Sequence, residues 1–211
     1  MRIIAFSVYI IAALSFTSCG GQVSVEQVMS RIEQHDFEDN SGYDGVGDLD
    51  DEGWKIRTLA IRDILRGGER GVPELRRYLA HDNRHVRQVA AFTLGLLEAK
   101  EASSELESLL VSDPDPIVRG QAAEALGQLG EEDARRALAS AAEADSNRNV
   151  RHRSELALGA LEYPNPGYQQ HAEAFRNLDE SRFELVEVGK PAVPFTLRDT
   201  EGNPWSLEDA L

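Results

Sequence analysis

The chain repeats itself. Asn83-Arg84-His85-Val86-Arg87, Asp115-Pro116-Ile117-Val118-Arg119 and Asn147-Arg148-Asn149-Val150-Arg151 follow one another at a spacing of 32 residues. The register persists downstream: Ala90, Ala122 and Ser154 coincide, then Leu94, Leu126 and Leu158, then Gly95, Gly127 and Gly159. An earlier copy, Ile56-Arg57 followed by Ala60, Ile61 and Ile64, stands 30 residues upstream. A period of this size restricts the fold more than composition does, because each unit is one supersecondary element that buries its apolar faces only by stacking on the next.

Each repeated position has a physical task. Asn83, Asp115 and Asn147 are good N-cap types, able to accept hydrogen bonds from the first free N–H groups of a helix. Pro116 then falls at the first helical position, where its missing N–H costs nothing. Val118, Ala122, Ala125 and Leu129 recur at spacings of 4, 3 and 4, one apolar stripe. Ahead of each such helix lies a second amphipathic stretch, Val72 to Leu79, Ser104 to Val111 and Ala134 to Ala142. Ser24 to about Asp36 adds a helix with a Ser24–Gln27 capping box, whose partner is Trp54 to Leu65. The expected fold is all-α, a short α-solenoid of about four helical hairpins.

Two of the copies, Val86-Arg87-Gln88-Val89-Ala90-Ala91-Phe92-Thr93-Leu94-Gly95 and Val118-Arg119-Gly120-Gln121-Ala122-Ala123-Glu124-Ala125-Leu126-Gly127, carry the pattern V-R-x-x-A-A-x-x-L-G in full. The third departs from it at Ser154 and Glu155. The pattern resembles HEAT-like repeats of the phycocyanobilin-lyase type and covers about half the chain. That resemblance implies a solenoid and a protein-holding surface; it names no ligand, since a fold is not a function.

The N-terminus reads differently. Arg2 supplies a positive start, Ile3 to Phe16 an apolar core interrupted by Ser7, Tyr9 and Ser15, and Phe16-Thr17-Ser18 leads to Cys19, the only cysteine. The run is shorter than the roughly 20 apolar residues a spanning helix needs. It resembles a bacterial lipoprotein signal peptide, with Phe16 where that family more often has Leu. The alternatives are an ordinary signal peptide cut near Ser18 or an uncleaved anchor. The resemblance implies a lipid on Cys19, a cell-envelope location and a membrane as one partner. Gly20, where the family's inner-membrane retention signal has Asp, points to the outer membrane facing the periplasm. A lipidated Cys19 takes no part in metal, redox or nucleophilic chemistry.

The formal charge of −15 is unevenly spread. Residues 23–53 hold ten acidic side chains against Arg31 alone, whereas residues 54–162 hold 18 against 16. Neither stretch offers the basic footprint that nucleic acid or anionic headgroups demand, so no nucleic-acid partner is expected. Within the repeats Arg57, Arg87, Arg119 and Arg151 form a ladder. Asp82, Asp113, Asp115 and Asp145 recur at nearly the same period, so the ladder is expected to pair inside the stack, a structural role, and not to form a recognition stripe for carboxylates or phosphates. HEAT-like deoxyhypusine hydroxylases hold iron with His-Glu dipeptides, and none of His35, His81, His85, His152 and His171 precedes a Glu. His81 and His85 are spaced for zinc on one helix, but Asp82 and Asn83 mark a break between helices, so a solvated loop pair is expected. The aspartates between Asp39 and Glu52 miss the EF-hand spacing and read as an exposed acidic linker. No metal and no cofactor is expected.

The tail changes character after Pro164-Asn165-Pro166-Gly167. Tyr168 to Leu178 gives one more amphipathic helix, with Tyr168, Ala172 and Phe175 on one face, suited to capping the last hairpin. Beyond it, Phe195-Thr196-Leu197 and Trp205-Ser206-Leu207 flank a turn at Asp199 to Asn203, a β-hairpin pattern. Val188-Gly189-Lys190-Pro191-Ala192-Val193-Pro194-Phe195-Thr196-Leu197-Arg198-Asp199-Thr200-Glu201-Gly202 and Ser206-Leu207-Glu208-Asp209 resemble the opening of a redoxin domain of the peroxiredoxin and thiol-disulfide oxidoreductase superfamily, with one residue inserted at Ala192-Val193-Pro194. That family's chemistry needs a cysteine downstream, and no cysteine follows position 19.

The expected organisation is therefore a signal peptide over residues 1–18, a tether, first helix and acidic linker over 19–53, HEAT-like repeats over 54–162, a capping helix and linker over 163–185, and an incomplete redoxin-like hairpin over 186–211. The expected function is a membrane-tethered scaffold that holds an unnamed protein partner, with no catalytic residue in this sequence. The alternative is the N-terminal part of a thiol-disulfide oxidoreductase or peroxiredoxin-like protein.

Overall fold

The computed structural model describes residues 23–37, 51–163, 167–180, 196–198 and 204–206. Helices come in pairs. The first is α1 (Val25–Gln34) with α2 (Asp51–Gly67), the second α3 (Val72–Tyr78) with α4 (Arg84–Leu96), the third α5 (Ser103–Ser112) with α6 (Pro116–Leu129) and the fourth α7 (Arg135–Ala144) with α8 (Arg148–Glu162). These are four hairpins of an all-α solenoid. Helix α2 starts at Asp51, inside the stretch that the acidic composition assigned to a linker.

Capping fixes where the helices begin. Ser24 Oγ accepts from Gln27 N–H at 3.2 Å while Gln27 Oε1 accepts from Ser24 N–H at 3.1 Å, a reciprocal box that starts α1. Asn83, Asp115 and Asn147 each hold an extended backbone and accept from the N–H two residues on, at 2.8 Å in all three cases. Gly130 closes α6 in the left-handed region, at φ 67°, which a Cβ would strain.

The second helices form a row in which α6 packs against both α4 and α8. Small residues permit the approach: a Cβ built on Gly95 would lie 2.9 Å from Ala125 Cα, and one on Gly127 2.8 Å from Ala157 Cα. One apolar core runs through the stack, with Met29, Ile32, Leu65, Leu75, Leu94, Leu106, Leu110, Leu126 and Leu138 fully enclosed.

The ninth helix, α9 (Gly167–Arg176), departs from expectation. Among the described residues its main contacts run to α2 and α4, whereas the sequence suited it to capping the last hairpin. Two features draw it there. Phe175 meets Phe92 of α4 edge to face, with ring centroids 5.7 Å apart. Arg66 on α2 donates to the Arg176 carbonyl at 2.9 Å and to the Leu178 carbonyl at 3.3 Å, placing a cation where the helix end carries partial negative charge. Arg62 adds an ion pair with Glu180 at 3.4 Å.

Two short strands, β1 (Thr196–Arg198) and β2 (Pro204–Ser206), pair antiparallel with Leu197 opposite Trp205. The rest of the segment expected to be redoxin-like, the stretch expected to be a signal peptide with Cys19, and the acidic residues 38–50 lie outside the described residues.

Candidate protein-interaction surface

The arginine ladder is built as a joint between units. Arg87 Nη1 donates to the carbonyls of His81 and Asp82, both at 2.8 Å, tying down the break that precedes its own helix. Its other edge, Nε and Nη2, grips both oxygens of Asp113 at 2.7 and 2.9 Å. Arg119 repeats the arrangement one unit on: Nη1 donates to the Asp113 carbonyl at 2.9 Å, and Nε and Nη2 grip Asp145 at 2.8 and 2.9 Å. Asp113 and Asp145 in turn accept from the N–H of Asp115 and of Asn147, at 2.9 and 2.8 Å, so each aspartate fixes its own break while it receives the neighbour's arginine. A bidentate pair of this kind is directional as well as strong, and it sets how one hairpin sits on the next.

Protonation follows from this geometry. Hydrogen bonding to Asp113 raises the pKa of Arg87, and hydrogen bonding to Asp145 raises that of Arg119, each against the opposing effect of burial. Burial pushes the Asp145 carboxyl up, but the Arg119 guanidinium, the Asn147 N–H and the Arg151 charge outweigh it, and the group sits below the usual carboxylate range. Asp115 is held low in the same way, burial being outweighed by a hydrogen bond from Arg84 at 2.8 Å and by the Ile117 N–H.

The two ends of the ladder differ. Arg57 takes part in none of the described hydrogen bonds, and its pKa is lowered by burial and then by the nearby Arg153 charge. The residue that occupies the Asp113 position one unit earlier is His81, which has no carboxylate to offer. Arg151 keeps the backbone half of the motif, donating from Nη1 to the carbonyls of Asp145 and Ser146 at 2.7 and 3.2 Å. Asp82 contributes its carbonyl to Arg87, while Asp115 serves as cap and as partner of Arg84.

The histidines are not a solvated loop pair. His85 lies in the first turn of α4, stacked on Phe37 with centroids 4.1 Å apart, and Phe37 meets His35 edge to face at 4.6 Å. His81 stays at the break, where Nδ1 accepts from Asn83 N–H at 3.1 Å and Nε2 is 3.6 Å from Glu33. The aromatic Phe37 draws His85 in, since a ring needs burial that a hydrated loop does not supply, and the ring of Tyr78 lies 6.0 Å from that of His81. His152 and His171 are exposed on α8 and α9. Of the aspartate-rich stretch only Asp51 and Glu52 fall among the described residues, in the first turn of α2.

The surface left over is mixed. Phe92, Glu124 and Leu156 hold one position on α4, α6 and α8: Phe92 is covered by α9, Glu124 pairs with Arg153, and Leu156 is 59% exposed. Trp54, Val111 and Tyr163 are exposed as well. A cleft of about 520 Å³ lies between the end of α4 and α9, lined by Leu96, Leu97, Glu98, Ala172 and Arg176 among others. The seat of α9 was missed in the sequence; the signal was Phe92, the one aromatic in a position that elsewhere holds Glu124 and Leu156.

Residues 72–159 match the family model described as HEAT repeats. No curated protein matches the chain. The matched span holds α3 and all but the end of α8, so the similarity to HEAT repeats covers three of the described hairpins. Repeats of this kind commonly mediate contacts between proteins.

Proposed function

We propose that the chain is a scaffold of the cell envelope, tethered by a lipid on Cys19, that holds a protein partner on its helical repeats. The observation that carries the scaffold reading is the use made of charged side chains. Arg87, Arg119, Asp113 and Asp145 are consumed in joints between hairpins, while large apolar side chains such as Trp54 and Val111 stand exposed. The tether rests on Arg2, the apolar run to Phe16 and the small residues before Cys19.

Both halves are open to test. The wild-type chain is expected in the membrane fraction and the Cys19→Ser variant outside it; equal recovery in membranes sinks the tether. A photo-crosslinking side chain at position 54 or 111 is expected to yield a discrete adduct with an envelope protein in the native cell. Only diffuse products from both positions count against a partner on these faces. A second reading, in which the repeats serve a redoxin-type domain, rests on the motif over residues 188–209. It requires an in-frame cysteine motif beyond the codon for Leu211, and a stop codon there removes it.

A further inference from the structure

Among the described residues, helix α8 presents an uncovered copy of the surface by which α6 receives α8. On α6 that surface is Gly120, Ala123 and Gly127, all buried under α8, with Arg119 gripping Asp145 beside them. The same positions on α8 are His152, Glu155 and Gly159, with Arg151 beside them, and they stand open. The side chains of His152 and Glu155 are each 65% exposed, and a Cβ on Gly159 would meet nothing within 4 Å. Arg151 still holds two break carbonyls through Nη1, but its Nε and Nη2 have no partner among the described residues. Residue 177, which follows Arg151 at the spacing that gives Arg87 and Arg119 their aspartates, is Asn at the end of α9. Arg148, Arg151 and His152 bound an open depression of about 520 Å³.

The occupant is constrained by charge. Glu155 stands where Ala91 and Ala123 stand on the inner helices, so a hairpin seated as α7 and α8 seat on α6 would bury that carboxylate with only the His152 imidazole, 3.8 Å away, beside it. Whatever covers α8 must supply cations near Glu155 and a carboxylate to Arg151. Helix α8 itself has that set in reverse order. Its basic residues Arg148, Arg151 and His152 lie in the first turns, and the acidic Glu155 and Glu162 follow. This order opposes the helix's own dipole, which favours acids at the start and bases at the end.

We propose that the outer face of α8 is a self-association surface, on which a second copy of this chain packs its own α8 antiparallel about a two-fold axis. A pairing centred on Glu155 sets Arg148 of each copy against Glu162 of the other and Arg151 against Gly159, within one turn of Glu155. The two Glu155 carboxylates then face each other on the axis with an Arg151 of either copy one turn away, Arg148 joins Arg135 of the other chain at Glu162, the two helix dipoles oppose, and the room beside Gly159 admits the incoming side chain. Such an isologous contact closes as a dimer and leaves the partner-holding faces free. The inference stands apart from the scaffold reading, which concerns a different protein on different residues.

The test uses two differently tagged copies of the full chain in mild detergent, one captured and the other measured. Wild type retains wild type, and Arg148→Glu with Arg151→Glu lowers self-retention by about tenfold or more through like-charge contact. Glu155→Arg with Glu162→Arg is equally weak against itself. Mixing the two double variants restores retention, which misfolded chains cannot do. Gly159→Leu, on open surface, melts no lower than wild type and still blocks association. Failure of wild type to retain wild type overturns the proposal, as does a mixed pair that stays apart while each variant melts like wild type.

Discussion

Gly127 and Gly159 occupy one register position, one under a neighbouring helix and one in the open, so a single substitution should act with opposite sign at the two sites. A Cβ on Gly127 falls 2.8 Å from both Cα and Cβ of Ala157, a separation at which the Ala157 backbone has to move. Overpacking of this kind costs about 1–3 kcal/mol. The change also gains about 1 kcal/mol because alanine is the better helix former. Gly127→Ala should therefore be net destabilising by up to about 2 kcal/mol. At Gly159 nothing lies within 4 Å, only the propensity term acts, and Gly159→Ala should be more stable by up to about 1 kcal/mol. Urea unfolding, followed by helical circular dichroism at concentrations where the chain elutes as a single copy, reads both effects. With a slope of about 2 kcal/mol/M, the two midpoints should separate by about 1 M. Equal losses at both sites would refute the reasoning, because they would mean that a helix covers α8 as closely as α8 covers α6. A gain at Gly127 would show that the Ala157 backbone yields without cost.

Leu126 is fully buried, and Leu126→Ala should cost about 2–5 kcal/mol in urea unfolding by emptying its site. Asp115→Ala removes the α6 cap, worth about 1 kcal/mol, and should cost more in the wild-type background than in Arg84→Ala, because Arg84 also binds that carboxylate. The carboxyls of Asp115 and Asp145 are held below their usual range, so their stabilising effect is present at neutral pH and is lost as pH falls below about 4 and through their folded values. Unfolding midpoints compared at pH 7 and pH 3 should show this loss shrinking in Asp145→Asn; an unchanged acid loss in that variant would remove Asp145 from the explanation.

The sequence made the stack legible because period, caps and small residues all pointed one way. The helices expected from Val72, Ser104 and Ala134 begin at Val72, Ser103 and Arg135, since Pro73 and the breaks at Asp82, Asp113 and Asp145 leave little freedom. The arginine spacing was equally visible, but the identity of each carboxylate was not. Four aspartates fit the period, and only three dimensions show that Asp113 and Asp145 receive the guanidinium while Asp115 caps. The histidines were misjudged because a two-residue break hides the stacking of His85 on Phe37, a contact that crosses from one hairpin to the next. Nor could an amphipathic stripe say which surface α9 would choose. Tyr168, Ala172 and Phe175 announce an apolar face, and the choice between α8 and α4 turns on Phe92, a long-range aromatic partner that periodicity does not encode.

That choice carries its own prediction. Helix α9 has 10 residues, fewer than the roughly 12–15 at which an isolated helix becomes even marginal in water, so its helicity depends on its seat. The seat is small: Ala172 is buried, Phe175 is half-buried against Phe92, and Arg66 holds the last carbonyls. Phe175→Ala removes the aromatic pair and part of the apolar contact, about 2 kcal/mol for a half-covered ring, comparable with all that such a short helix can muster. Amide hydrogen exchange should then show residues 171–177 exchanging as coil while α4 and α6 keep their protection, since α9 adds only Ala172 and the edge of Phe175 to the core that joins the hairpins. Phe92→Ala should do the same from the other side of the contact. If the α9 amides stay protected in both variants, the helix is held by something other than this pair, and its seat on α2 and α4 is not the arrangement in solution.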